Sequence, residues 1–480
     1  MLVGCGSRPS DPDGGAGGGS SGGGAGGGTA SIGTCEGLPV ACGVLGSGDA
    51  SVDCGTCFFE RVKLGATSYD HVSMVRAPSG VHVGWYGNTQ VLLSSELDDG
   101  GFTTEVIDPD GTGTEPVLSV ALKPGGGAPA VAYARSFEIW LATERAAAQP
   151  DGGKYESRRV TNGYQPSLVF DGTGKPYLAY QRTRFAEKMM YLATSAADGG
   201  WAETQLEWID AGFMGAPKVV LDPAGAPHVL YLVDRSPAQN GLHHFSGGSL
   251  EVVTPGGLGG GANGQLDAVF DSSGALHAVW PAYPFALMYG RRAGGAWSVL
   301  PVSNDNAGHE HNALAIDAQG RPMVAFHTFS ALKLSAFNGS SFSVQGVLSC
   351  DQGGVALALD ARNRLRLASA CGSMSVLTLN GKYPAGHAAA CEQLSSAVCS
   401  LACGACKAAD NDCCLKGTSL RTCTNRCSRN IGGLACDDAT KPQSMFDACL
   451  GAAGGLMCAM PATDGVDVSG TPCDSLFEQP

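Results

Sequence analysis

Short apolar runs recur along the middle of the chain. Each is followed by a turn signal and then by a second apolar run that ends in an aromatic residue. The unit is plainest at 167–180, where Leu168, Val169 and Phe170 lead into Asp171, Gly174 follows within the turn, and the chain returns through Leu178 to Tyr180. It comes back at 218–231, 267–280, 313–326 and 356–369, and in weaker form at 73–85 and 120–133. The turns are anchored at Arg76, Lys123, Asp171, Asp222, Asp271, Asp317 and Asp360, which are spaced by 43 to 51 residues. Apolar runs this short, bounded by turn residues, predict strands rather than helices. An aspartate at the head of a turn can bond its own backbone. Three residues on, Gly174, Gly225, Gly274 and Gly320 supply a left-handed residue, and Asn363 stands there in the last copy. A third strand then leads into a Gly-rich hairpin, as at Gly199–Gly200, Gly247–Gly248 and Gly294–Gly295, and a fourth strand returns. Seven copies of four short strands predict an all-β fold, a seven-bladed β-propeller.

The seventh copy is short of a strand, because Pro384 and a cysteine-rich region follow Tyr383. A spare strand stands at Phe58–Leu64, so the amino-terminal strand is expected to complete the last blade and close the ring. The repeated aromatics Trp85, Tyr133, Tyr180, Tyr231, Trp280 and Phe326 are expected to pack between blades rather than to stack on sugars. His82, His228 and His277 share one repeat position with Tyr177 and Met323, which marks a structural slot.

Composition fits this picture. Charged residues are 15% of the chain and glycines number 71, which suits short strands and tight turns. The net charge is −14 with no basic run, so nucleic acid and anionic membrane surfaces are not expected partners. No run of apolar residues is long enough for a transmembrane helix. Nineteen cysteines point to an oxidising compartment. Apart from Cys5 they fall in even groups: four at 35–57, two at Cys350 and Cys371, and twelve at 391–473. Even groups predict local disulfides. A Cys350–Cys371 bond would pin the closing blade.

Leu2-Val3-Gly4-Cys5 resembles a bacterial lipobox, although only four residues precede Cys5. The resemblance implies lipidation at Cys5 and export, to the cell surface or outer membrane or into the medium. The Gly- and Ser-rich run that follows predicts a flexible tether. The expected domains are the lipobox remnant and tether at 1–34, a cystine-containing lead-in at 35–57, the propeller at 58–385, and a small disulfide-rich, mainly helical domain at 386–480. The whole resembles bacterial secreted propeller lipoproteins with sialidase-like repeats and a cysteine-rich tail. The Asp boxes of sialidases are absent.

By fold-level analogy, propeller ligands meet the rim built from the loops between fourth and first strands and between second and third strands. The first set includes His71, Tyr164, Gln165, Gln265 and the run His309–Asn312, and the second includes Arg135, Arg182, Arg184, Arg235, Tyr283 and His327. Arg135, Arg182, Arg235, Tyr164, His309, His311 and His327 are the candidate ligand-binding residues. Arginines at three successive strand ends could converge on a carboxylate. The loop Asn304–His311 offers imidazoles and side-chain oxygens for a metal, or a base for sugar-acid elimination, without matching a standard metal spacing. The run Asp108–Glu115 raises calcium as a cofactor, but Asp-Gly is first a turn signal. No catalytic motif stands out. The expectation is a monomeric, surface-displayed binding propeller for a glycan or an extracellular protein. The alternative is a carbohydrate-active lyase or sialidase-like hydrolase.

Overall fold

The structure is a computed structural model. It describes residues 57–67, 71–97, 100–111, 117–125, 127–145, 154–235, 240–253, 265–282, 286–303, 311–317, 320–328, 331–337, 339–349, 353–359, 365–371 and 373–382, and the short pieces 44–45, 52–53, 443–452, 457–458, 466–467 and 472. Seven antiparallel sheets of four main strands follow one another along the chain, at 72–108, 118–162, 164–209, 218–252, 267–303, 312–349 and 355–382. Blade 4 carries one additional short strand, Phe213–Met214, which pairs Val233 and Asp234. The fourth strand of blade 7 is the amino-terminal segment Cys57–Gly65, which pairs antiparallel with Met374–Lys382. The expected closure of the ring is therefore present.

The repeat is built from its turns. The Asp171, Asp222 and Asp271 carboxylates each accept the backbone N–H groups two and four residues on, at 2.8–2.9 Å. Gly174 closes the first of these turns at φ +87°, as Gly225, Gly274 and Gly320 do in theirs. These turns lie on what we term the lower rim. The first strand of each blade rises from the upper rim, along with the turn joining its second and third strands.

The core is divided among the seams. A buried apolar cluster lies between every pair of consecutive blades, blades 7 and 1 included. Trp85, Tyr133, Tyr180, Tyr231, Trp280 and Phe326 are all buried within them, as packing aromatics. His82, His228 and His277 are held by Ser95, by His244 and by Asp271 with Tyr289, which fits a structural slot.

A second device ties the inner strands together. One position of the first strand is Ser73, Ser119, Ser167, Lys218, Asp267, Ala313 and Ala356 in blades 1 to 7. Each pairs with the residue before the recurring second-strand aromatic, or before Ser369 in blade 7. The Oγ atoms of Ser73, Ser119 and Ser167 accept the backbone N–H of Val120, Leu168 and Val219 in the next blade, all at 3.0 Å. At Lys218 the scheme changes. Asp267 accepts from Lys218 and from its own neighbour Ala268 through one oxygen, and from Leu314 N–H through the other. Ala313 and Ala356 have no side-chain acceptor to offer. The seam between blades 7 and 1 instead holds an ion pair of Arg366 with Glu96, both buried.

Outside the ring, helix α1 (Gln443–Ala452) and a small hairpin of Met457–Cys458 with Val466–Asp467 are described. Cys371 and Cys449 are both buried, and each takes part in a disulfide. Cys5, Cys350 and most of 386–480 lie outside the described residues, so the lipidation site, the second half of the expected Cys350–Cys371 pair and the helical character of the tail do too. No helix among the described residues is long and apolar enough to cross a membrane.

Candidate functional site

The first strands of all seven blades surround a central channel of about 220 Å³. Its wall is mostly uncharged, with Ser73, Ser119 and Ser167 engaged in the clamps above. Among the described residues the one cation on the wall is Lys218, which is neutralised by Asp267 at 2.8 Å.

At the upper mouth of the channel the chain gathers uncharged polar groups from four blades. Gln265 and Asn312 line the channel at the feet of blades 5 and 6. The Gln265 carboxamide bonds His71 Nδ1, which reaches in from the start of blade 1, and Asn312 Nδ2 donates to Gln265 O. His71 meets the His311 ring edge-on, with centroids 5.4 Å apart. His327 ends the second strand of blade 6, donates its backbone N–H to His311 O at 3.1 Å, and faces Ser369 Oγ of blade 7 at 3.5 Å. Burial pulls all three imidazoles down, His311 to about 4, and His71 and His327 to about 3 with the neighbouring His311 adding to the effect. They are neutral at neutral pH, because desolvation disfavours the charged form. Two atoms at this mouth are buried with no hydrogen-bond partner among the described residues: His311 Nδ1 and Asn312 Oδ1. Buried polar atoms are rarely left unpaired. Such a pair beside a channel opening is suited to a ligand that carries its own donors and acceptors.

Of the sequence candidates, His311 and His327 come together here, joined by His71, Gln265 and Asn312, which the loop reading had placed on the same rim. His309 lies outside the described residues. The three arginines are held at three separate seams. Arg135 pairs with Asp108 at 3.2 Å, at the end of the preceding blade's fourth strand, while Tyr133 OH donates to the same carboxylate at 2.8 Å. Arg235 pairs with Asp210 at 2.6 Å in the equivalent way. Arg182 donates to Asn162 O, Thr161 and Glu203, and lies over the Tyr191 ring at 4.5 Å. Each guanidinium thus ties its blade to the one before, and the expected convergence on one carboxylate has no counterpart in this geometry. Tyr164 is buried, bonded to Thr183, with Lys188 Nζ 3.5 Å from its hydroxyl. The Asp108 carboxylate also accepts Asp110 N–H at 2.9 Å, so it acts as turn former and ion-pair partner, and Glu115 lies outside the described residues. Among the described residues no group of three His, Cys, Asp or Glu side chains could hold a metal.

The rim also carries aromatics that the sequence reading passed over. Phe137 and Phe185 sit at the tips of the second-to-third-strand turns of blades 2 and 3 and are 60% and 93% exposed. Trp208, one residue from the upper end of the fourth strand of blade 3, is also exposed. A phenylalanine at a two-residue hairpin tip was the available signal.

No protein-family model matches the chain, and no curated protein matches it in sequence. Solved structures that resemble it at low identity include the following. The polysaccharide lyase Uly1 is 10% identical over 68% of this chain and 99% of its own, with a TM-score of 0.46. The fucose-specific lectin from Aleuria aurantia is 14% identical over 58% and 95%, with a TM-score of 0.41. The α-L-arabinofuranosidase Arb93A from Fusarium graminearum is 11% identical over 68% and 98%, also with a TM-score of 0.41.

Proposed function

We propose that this chain is a carbohydrate-binding propeller that takes a neutral, hydroxyl-rich sugar at the upper mouth of its channel and releases it unchanged. The observation that carries the reading is the pair of buried, unpartnered acceptor-capable atoms, His311 Nδ1 and Asn312 Oδ1, within a mouth of neutral imidazoles and carboxamides. Sugar hydroxyls can donate to both atoms, and the neutral surroundings favour an uncharged ligand over an anion. The arginines that would hold a uronate or sialate carboxylate are engaged at their seams. A general base working near neutral pH wants a pKa near 7. Imidazoles held at about 3 to 4 fall well below it. Binding without turnover therefore fits better than catalysis.

A glycan array probed with the full chain, followed by calorimetry, tests this. His311→Ala and Asn312→Ala should each weaken binding of the best glycan at least tenfold, whereas Arg182→Ala should leave it unchanged. Release of reducing ends or unsaturated products from a bound glycan, lost in His311→Ala, would replace this reading with the enzyme alternative. Display at the cell surface through a lipid on Cys5 belongs to the same proposal. Its support is the lipobox-like Leu2–Cys5 run and the cysteine usage. Mass spectrometry of the amino-terminal peptide from a membrane fraction tests it.

A further inference from the structure

The turn joining the second and third strands is solved differently in successive blades. In blade 1 its left-handed residue is Asn88, at φ +56°, one of the few side chains that tolerate that conformation. In blade 3 the matching residue is Phe185 at φ +57°, and in blade 2 the tip is Ser136 at φ +50° followed by Phe137 at φ +62°. Elsewhere in the ring glycine takes such positions, as at Gly247–Gly248 and Gly294–Gly295. A bulky residue there is an outlier and carries a conformational penalty. Neither ring recovers that penalty through burial, since Phe185 is 93% and Phe137 60% exposed. Retained strain of this kind with an exposed side chain leads to a functional hypothesis.

The surroundings point to the kind of partner. Among the described residues the exposed large apolar side chains at the top of blades 2 and 3 are all aromatic: Phe137, Phe185 and Trp208. Polar and charged residues separate them, and the charges are balanced. Arg184 stands opposite Glu187 across the Phe185 turn, Glu138 beside Phe137 pairs with Arg159 at 2.8 Å, and Asp210 beyond Trp208 pairs with Arg235. A protein-docking surface would present a continuous apolar patch. Separate flat rings in a neutral polar field suit the apolar faces of sugar rings instead.

We infer that Phe137, Phe185 and Trp208 form an outer stacking platform for a neutral polysaccharide whose one end occupies the channel mouth. This rests on the carbohydrate reading above and extends it from a single sugar to a chain crossing blades 2 and 3.

The test uses the full chain in affinity electrophoresis through gels containing soluble β-glucan, xylan, galactomannan or arabinan. Phe185→Asn and Phe137→Asn keep the turns, because asparagine accepts the left-handed conformation, and Trp208→Thr keeps the strand. Each substitution should weaken retention by the best polysaccharide about tenfold, in line with the worth of an aromatic contact. Binding of the shortest oligosaccharide that the array detects should stay unchanged, and both Asn variants should unfold at the same or a higher temperature than the parent chain. Unchanged retention in all three variants overturns the platform and leaves the mouth site standing. A parent chain retained by no polysaccharide, although it binds short glycans, overturns the platform as well. A parent chain that binds neither fails at the carbohydrate reading itself. Self-association in light scattering that Phe185→Asn abolishes, with retention unaffected, would reassign the rings to a protein interface.

Discussion

Acidification should unlock the channel mouth, and the size of the effect follows from two buried imidazoles. His311 and His327 are 6% and 2% exposed, and burial lowers them from 6.5 to about 4 and about 3. The unfolded chain takes up protons at these residues as pH falls through about 6.5, while the native state refuses them until pH 3–4. Stability is thus at its full value above pH 7, falls as pH drops below 6.5, and levels off once the folded-state values are passed. Between pH 7.5 and pH 5 each imidazole costs ~2 kcal/mol, so the two together cost ~4 kcal/mol. The measurement is urea unfolding at several pH values, on the parent chain and on a His311→Gln/His327→Gln double variant. Other histidines are lowered too, among them His228 and His244, so the parent's total loss should exceed this figure. The difference between the two proteins isolates His311 and His327. The variant should lose less stability over that interval, by ~4 kcal/mol, corresponding to about two fewer protons taken up on unfolding near pH 5. Parallel pH curves for the two proteins would refute the reasoning, because the imidazoles would then titrate alike in folded and unfolded chains.

Three further outcomes follow from the seams and turns. Glu96→Ala leaves the buried Arg366 guanidinium without its carboxylate and should destabilise the ring by about 3–5 kcal/mol in urea unfolding, while a paired Glu96→Leu/Arg366→Met change should restore most of the loss. Asp267→Ala removes the acceptor of Leu314 N–H and the counter-charge of Lys218, and should cost about 2 kcal/mol by the same measurement, against about 1 kcal/mol for Ser119→Ala, which removes one neutral acceptor. Gly84→Val should cost more than either, because a Cβ there already falls 2.5 Å from Val120, and a drop in thermal midpoint with unchanged far-ultraviolet dichroism would register it.

The parts of the fold written in neighbouring residues were legible in the sequence. Asp171 and Gly174 build their turn from a stretch of five residues, so the pattern and the geometry coincide. The closing strand could be inferred because blade 7 lacked a fourth strand and Phe58–Leu64 had no other sheet to join. The mouth was legible only as a set of polar loop residues. The contact of Gln265 with His71 joins positions 194 residues apart, and only ring closure brings them together. The arginines were misjudged for a related reason. Their partners Asp108 and Asp210 end or directly follow the preceding blade's last strand, and nothing within the arginine's own repeat announces them. Ser73, Ser119 and Ser167 repeat in register, yet Lys218 and Asp267 interrupt the series with a different chemistry, so composition at that position did not reveal the clamp.

The closing pair of strands also fixes how the ring would respond to force. Cys57 lies opposite Lys382, so the segments leading into and out of the propeller leave from the same corner of blade 7. Tension between them is directed at one end of an antiparallel ladder and would part its bonds one after another, as a zipper opens. Shear across the whole ladder would demand that many bonds fail together. A tug on the flanks therefore meets the ring at a mechanically soft latch, and the blade assembled from both arms of the chain is the first to yield.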